Sequence, residues 1–315
     1  MQRLIKHFFF IMTTAKGEGL KAAIDLGSNS FRLLIRNNDL GITPVKETVT
    51  VRLGEGLARE VRIGQAAFAR GIKIIEEFKA ALDRFAVLPQ NIRACGTESL
   101  RRAEDSSAFI DQASGIIGRR IEIISGEEEA ALTLAGVLSG MVNGPAHPLL
   151  VADIGAGSTE LISASTPPEI DRVSSLQLGA AIISMVIKEE GLAAARKRID
   201  QAIAPFLAAI GGAPTLILSG GSATTCAAID LGLEPYIPQL VQGHEIDRGR
   251  FGTLSDKLLS ADEKGLAKIK GLAPERAGII GGGALICLAI IKKTSAQTAI
   301  ISDLGLLEGI FLSIP

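Results

Sequence analysis

The sequence predicts an α/β protein of two domains, built as a duplicated phosphate-gripping fold, and three observations carry that expectation. The first is residues 22–35, AAIDLGSNSFRLLI, two apolar strand-like runs joined by a tight turn of small polar residues. The second is its echo at residues 149–162, LLVADIGAGSTELI, which places Asp153 128 positions after Asp25. A strand–Asp–Gly–turn–strand unit stated twice, about one domain apart, marks a duplication. The third is composition: 315 residues, 47% apolar and 21% charged, with 35 glycines. That is enough chain for two cores, and it suits closely packed helix–sheet layers.

The chemistry of the two turns follows from their residues. Gly27 opens backbone angles closed to other residues, and Ser28, Asn29 and Ser30 supply hydroxyl, amide and N–H donors suited to an anion such as phosphate. Asp25, at the carboxyl end of the first strand, adds a carboxylate able to hold a divalent cation directly or through water. In the second copy, Asp153 precedes a turn of Gly155, Ala156, Gly157, Ser158 and Thr159.

Composition also excludes. A net charge of −1 gives no case for nonspecific nucleic-acid binding. With no Trp, one Tyr and 4% aromatics, little supports a platform for stacking bases. Cys95, Cys226 and Cys287 are scattered and odd in number, as for free buried thiols in a reducing, cytoplasmic compartment. His7, His147 and His244 are equally dispersed, so neither a zinc site nor a His-based triad is indicated. No stretch reaches the ~20 apolar residues of a membrane span. Residues 277–291 come nearest, but Gly281, Gly282 and Gly283 interrupt them, as in the start of a buried helix.

Taken in order, residues 1–21 read as an extension outside the fold. Their short apolar run is flanked by Arg3, Lys6 and Lys16 and leads to no small-residue cleavage site, with Met12 as a natural start. After the first hairpin, residues 45–53 alternate as an edge strand and Gly54 and Gly56 form a loop. Residues 64–85 are helical, with Phe68, Ile72, Ile75, Phe78 and Leu82 along one side. A strand at 92–95 enters a turn where Thr97 can cap the next helix; a helix at 106–117 and a strand at 120–124 follow. Ser125 and Glu128 make a capping box that opens the helix at 127–141 and accounts for Glu127 and Glu128 without chemistry. Glu129 differs by position, one turn into a helix directly before the second hairpin.

The second half repeats the order. Strands are expected at 149–153, 158–163 and 169–176, then helices at 180–190 and 192–210. The strand at 215–218 runs into Gly220, Gly221 and Ser222, which open a helix with N–H donors suited to an anion. Helices at 247–259, 262–269 and 274–291, a strand at 298–301 and a last helix complete the chain. The expected domains are 22–143 and 144–315, with the last helix packing back on the first.

In sequence order, IDLGSNSFRLLI, GTESLRRAED, ISGEEEA, DIGAGSTEL, LSGGSAT, RAGIIGGGALI and ISDLGLLEGI resemble the exopolyphosphatase/guanosine pentaphosphate phosphohydrolase family over about residues 22–313. The resemblance implies the actin-like (ribonuclease H-like) ATPase fold in its short form, two βββαβαβα domains with an active-site cleft between them. It implies Glu129 as the catalytic carboxylate that activates water, and Asp153 and Glu160, joined by Asp25, around Mg²⁺. Ser28, Asn29 and Ser30, with Gly155, Gly157, Ser158 and Thr159, match the two phosphate loops. Arg101 matches an arginine on phosphate oxygens, and Gly220, Gly221 and Ser222 match a third loop. The chain departs from the family pattern at Ala156, a common glycine, at Gly278, a common acidic position, and at Leu304 and Leu307, common arginines.

The functional expectation is a magnesium-dependent exopolyphosphatase that releases terminal orthophosphate from inorganic polyphosphate, short to medium chains first. Arg93, Arg101, Arg102, Arg119 and Arg120 supply cationic side chains for it. The alternatives are a guanosine pentaphosphate phosphohydrolase, for which the few aromatics give no obvious base shelf, and a non-catalytic sensor of guanosine tetra- or pentaphosphate. A kinase of the same fold would carry its catalytic Asp on another strand, and Glu129 argues against it. The expected partners are polyphosphate or guanosine pentaphosphate and a possible second copy in a homodimer, with neither nucleic acid nor membrane.

Overall fold

The computed structural model describes residues 19–37, 41–55, 57, 61–141, 144, 146, 148–166, 169–210 and 214–315. Most of the N-terminal extension, His7 and His147 lie outside the described residues. The chain forms two compact units, one running to Leu132 and including Leu306–Pro315, the other Thr133–Gly305.

The first unit is built on a five-stranded sheet of order β3-β2-β1-β4-β5: β1 Lys21–Leu26, β2 Ser30–Asn37, β3 Ile42–Thr50, β4 Ile92–Gly96 and β5 Ile121–Ile123. β1, β2 and β3 are antiparallel neighbours, whereas β4 and β5 join β1 in parallel. Central β1 is buried on both faces, while β3 is largely exposed, as its polar sequence requires of an edge. The long helix α1 (Gln65–Arg84) buries Ile72, Ile75, Phe78 and Leu82 as its period dictates. α2 (Glu98–Arg102) and α3 (Ser106–Ile117) follow β4. Helix α4 (Gly126–Ser139) leaves the sheet, and the division between units falls within it. The C-terminal helix α12 (Leu306–Leu312) belongs to this unit, where Leu306, Leu307, Ile310 and Phe311 pack with Ala23, Leu34 and Leu132. A Cβ on Gly309 would lie 1.8 Å from the Leu132 carbonyl oxygen, so only glycine permits that seat.

The second unit repeats the plan. Its sheet runs β8-β7-β6-β9-β11-β10, from β6 Leu149–Ile154, β7 Thr159–Ala164, β8 Arg172–Leu176, β9 Thr215–Ser219, β10 Glu245–Asp247 and β11 Thr298–Ile301. β6–β7–β8 are antiparallel and β9 and β11 join β6 in parallel, the same order and directions as in the first sheet. β10 is added antiparallel at the far edge. The helices are α5 (Ala180–Glu190), α6 (Leu192–Ala209), α7 (Gly220–Leu231), α8 (Pro238–Val241), α9 (Arg248–Ser260), α10 (Glu263–Leu266) and α11 (Ile280–Lys293).

Helix α11 starts at Ile280 rather than at Pro274, because residues 274–276 form a 3₁₀ turn. Its glycines are packing devices. A Cβ on Gly282 would meet the Ala180 carbonyl at 2.5 Å, and one on Gly283 the Ser222 hydroxyl at 2.3 Å. Among the described residues no helix is long and apolar enough to cross a membrane.

Candidate active site

Both units place their sequence-predicted residues at the carboxyl ends of the central parallel strands, where open α/β sheets leave room for ligands. In the first unit, the N–H of Gly27 donates to the Ser30 carbonyl at 3.1 Å. A Cβ on Gly27 would sit 2.9 Å from that oxygen, which reserves the position for glycine. The carbonyl of Ser28 accepts from the N–H of Gly54 at 2.8 Å, and that of Asn29 accepts from Val51 and Arg52, each at 2.8 Å. A trans peptide sets its N–H opposite its carbonyl, so the Asn29 N–H points away from that segment. The Asn29 amide donates to the Ser30 hydroxyl at 3.1 Å.

Asp25 is fully buried at the end of β1, and its register partner on β2 is Arg32, whose Nε lies 2.6 Å from Oδ2. The first hairpin thus compensates its own carboxylate.

The glutamates of α4 divide. Ser125 Oγ accepts from the Glu128 N–H at 3.1 Å, but the Glu128 side chain goes to Arg93 at 2.5 Å and does not close the box. Glu129, 9% exposed, is held by Arg101, whose Nη1 donates to Oε2 at 2.7 Å and to the Ile124 carbonyl at 2.8 Å. Arg101 fixes the orientation of Glu129, and a guanidinium has five donors, leaving Nε and Nη2 for an anion. Thr97 makes no side-chain bond to the end of α2; its carbonyl, not its hydroxyl, receives the Leu100 and Arg101 N–H groups.

In the second unit the same turn recurs. The N–H of Gly155 donates to the Ser158 carbonyl at 3.0 Å, and a Cβ on Gly155 would lie 3.2 Å from it. The carbonyls of Gly155 and Ala156 accept from Ala180 and Ala181 at the start of α5, each at 3.0 Å. By the same geometry the N–H groups of Ala156 and Gly157 face the other way. Ser158 stays partly exposed, but Thr159 is fully buried and its hydroxyl donates to the Leu178 carbonyl. Its hydroxyl secures the turn from within.

Asp153 has Glu160 as register partner on β7 and Ser219 on β9, which puts all three side chains on one face. Glu160, 8% exposed, accepts from the Ser175 hydroxyl at 2.9 Å. Gly220, at φ +82°, leaves the space that lets Asp153 in: a Cβ there would be 2.4 Å from Oδ1. Ser219 Oγ is buried with no hydrogen-bond partner among the described residues. Two carboxylates, an unbonded hydroxyl and a missing Cβ form an oxygen-donor set that fits Mg²⁺, which takes one or two carboxylates and keeps its waters. Among the described residues no group of three or more His, Cys, Asp or Glu side chains comes together.

Two residues escaped the sequence reading. The guanidinium of Arg276 occupies the place of a Cβ on Gly221, 2.2 Å from both terminal nitrogens, so a cation covers the start of α7. The signal was the double glycine itself, since Gly221 is needed for that approach. Ser222 is buried, with its hydroxyl 2.3 Å from the place of a Cβ on Gly283 of α11. Ser219 is the other missed residue. The thiols take no part: burial pushes Cys95 and Cys226 up to about 12.

A 3-2-1-4-5 strand order in the first sheet, repeated in the second with β11 in the fifth place and β10 added at its edge, each with an Asp–x–Gly turn at the switch of direction, defines a protein of the actin-like ATPase fold. The chain belongs to the Ppx/GppA phosphatase family, whose profile matches residues 34–315. It is 32% identical over 307 residues to a guanosine-5′-triphosphate,3′-diphosphate pyrophosphatase of Vibrio parahaemolyticus, covering 95% of this chain and 60% of that protein's length. Among solved structures it resembles an exopolyphosphatase from Cytophaga hutchinsonii, at 25% identity and TM-score 0.82, covering 94% of this chain and 97% of that one. It also resembles the Aquifex aeolicus member of the Ppx/GppA family, at 25% identity and TM-score 0.78, covering 93% and 96%.

Proposed function

We propose that the protein is a magnesium-dependent phosphohydrolase that removes the terminal phosphate of guanosine pentaphosphate. The observation that carries this reading is the name shared by the curated relatives, guanosine-5′-triphosphate,3′-diphosphate pyrophosphatase, joined to the intact Glu129–Arg101 and Asp153–Glu160 pairs. It reverses the order of the sequence expectation, which put polyphosphate first.

On this reading Glu129 accepts the proton of the attacking water, held in place by Arg101. The water oxygen bonds to the terminal phosphorus and the bridging P–O bond breaks. Its electron pair stays on the shortened guanosine phosphate, and orthophosphate leaves. In the first unit Ser28, Ser30 and the turn N–H groups, and in the second Ser158, Arg276 and the turn N–H groups, are donors suited to phosphate oxygens. Asp153 and Glu160, rather than the Arg32-paired Asp25, would hold Mg²⁺, which when bound neutralises charge on the phosphoryl oxygens.

Hydrolysis of inorganic polyphosphate is the second reading, favoured by the likeness to the Cytophaga hutchinsonii exopolyphosphatase. Phosphate release with both substrates supplied together at low salt, with and without Mg²⁺, separates them. The expected result is Mg²⁺-dependent release mainly from pentaphosphate. Preference for polyphosphate transfers the proposal to the second reading, and binding of pentaphosphate without release makes the protein a sensor.

A further inference from the structure

Tyr236 is the chain's one tyrosine, and the chain has no tryptophan. Its hydroxyl donates to the Asp303 carboxylate, with the Thr224 hydroxyl and the Arg276 charge also close enough to act on it. Burial of the hydroxyl end, followed by the Asp303 charge, pushes the phenol well above its ordinary pKa, so it remains the donor. The residue is nonetheless 44% exposed, and its neighbours Ile237 and Leu240 are 37% and 51% exposed. A ring pinned at its polar end in a residue left this exposed offers a rigid apolar surface.

Its place in the fold decides what the shelf is for. Asp303 follows the carboxyl end of β11, and Ser302 is tied by its N–H to the Leu218 carbonyl at 2.9 Å. β11 is one strand from β9 and two from β6, so Asp303 stands about 10 Å from the Asp153 position at ordinary strand spacing. Thr224 lies one turn inside α7, whose first residues Gly220 and Gly221 sit against Asp153 and Arg276. The shelf therefore borders the phosphate-gripping turns on the same edge of the sheet, at the order of distance that a ribosyl triphosphate arm spans.

We propose that Tyr236, flanked by Ile237 and Leu240, is the surface on which the guanine base of the substrate stacks, and that it sets the preference for a guanosine phosphate over a bare phosphate chain. This rests on the pentaphosphate reading above. Base–aromatic stacking is tolerant of sequence and worth a binding factor of roughly 5- to 150-fold. Without it the carboxyl end of the sheet offers only charge and hydrogen bonds, which polyphosphate satisfies equally.

The absence of tryptophan makes the test direct, because the intrinsic fluorescence of the protein reports Tyr236 alone. Titrating the intact chain with guanosine pentaphosphate, with absorbance-corrected controls, should quench that emission saturably, whereas tripolyphosphate should not. Tyr236→Ala should raise KM for pentaphosphate about 10-fold with kcat held, and leave tripolyphosphate hydrolysis unchanged; Tyr236→Phe should stay near wild type. Hydrolysis of pentaphosphate without quenching would overturn the shelf and spare the hydrolase reading. Quenching without hydrolysis would do the reverse. Equal quenching by both ligands, equal losses on both substrates in Tyr236→Ala, or loss of self-association alone would also overturn it, the last making the patch a protein contact.

Discussion

The two hairpins share a backbone and differ in charge. Each closes its turn with one bond, Gly27 to Ser30 at 3.1 Å and Gly155 to Ser158 at 3.0 Å, and in each the accepting carbonyl crowds the place of a Cβ, at 2.9 Å from Gly27 and 3.2 Å from Gly155. Each also has an Asp as the next-to-last residue of its central strand. The residue opposite that Asp is where they part: Arg32 in the first, Glu160 in the second. Two carboxylates at ~5 Å repel by about 3 kcal/mol at an effective dielectric of ~20. The first hairpin pairs its carboxylate with its own arginine, whereas the second sets two carboxylates side by side, the pair that on the proposed reading would hold Mg²⁺. Duplication kept the anion-gripping turn, which is a property of the backbone, and divided the side-chain roles between the copies.

The sharpest break in this division concerns Glu129, the proposed base, which belongs to the first unit. Glu129→Gln keeps size and the helix start but removes the proton acceptor. Turnover should fall at least ~100-fold with unchanged thermal unfolding and unchanged Mg²⁺ dependence of the residual rate. Near-normal turnover would leave Glu129 as a partner of Arg101 and nothing more. A smaller effect tests the neutral hairpin. Arg32→Ala removes an ion-pair partner of the buried Asp25, and denaturant unfolding should show a loss of about 3 kcal/mol, with the Mg²⁺ titration of activity unmoved. A shifted Mg²⁺ titration would put Asp25 back at the cation.

Repeating features were legible in the sequence and tertiary ones were not. The two Asp–x–Gly turns could be read because they recur with the same spacing, and the helix at 64–85 because its apolar period is unbroken. The third strand runs Ile42–Thr50 rather than 45–53. Val51 and Leu53 are buried and so look like strand, but the N–H of Val51 is drawn off to the Asn29 carbonyl. The helix expected at 262–269 shrinks to Glu263–Leu266, and β10 and α8, three and four residues long, carry no period to detect. Register made the rest invisible. Arg32 meets Asp25 only through strand pairing, Arg101 finds Glu129 28 positions away, and Tyr236 is anchored by Asp303 67 positions away.

The direct measurement of the division between the hairpins is metal binding in matched variants. Mg²⁺ affinity, read by calorimetry or by competition with Mn²⁺, should weaken at least ~10-fold in Asp153→Asn, the range seen when a metal site's oxygen donors are disturbed. The equivalent Asp25→Asn should bind the ion within about twofold of wild type, because Arg32 already answers that charge. Equal weakening in both variants, or loss confined to Asp25→Asn, would contradict the account.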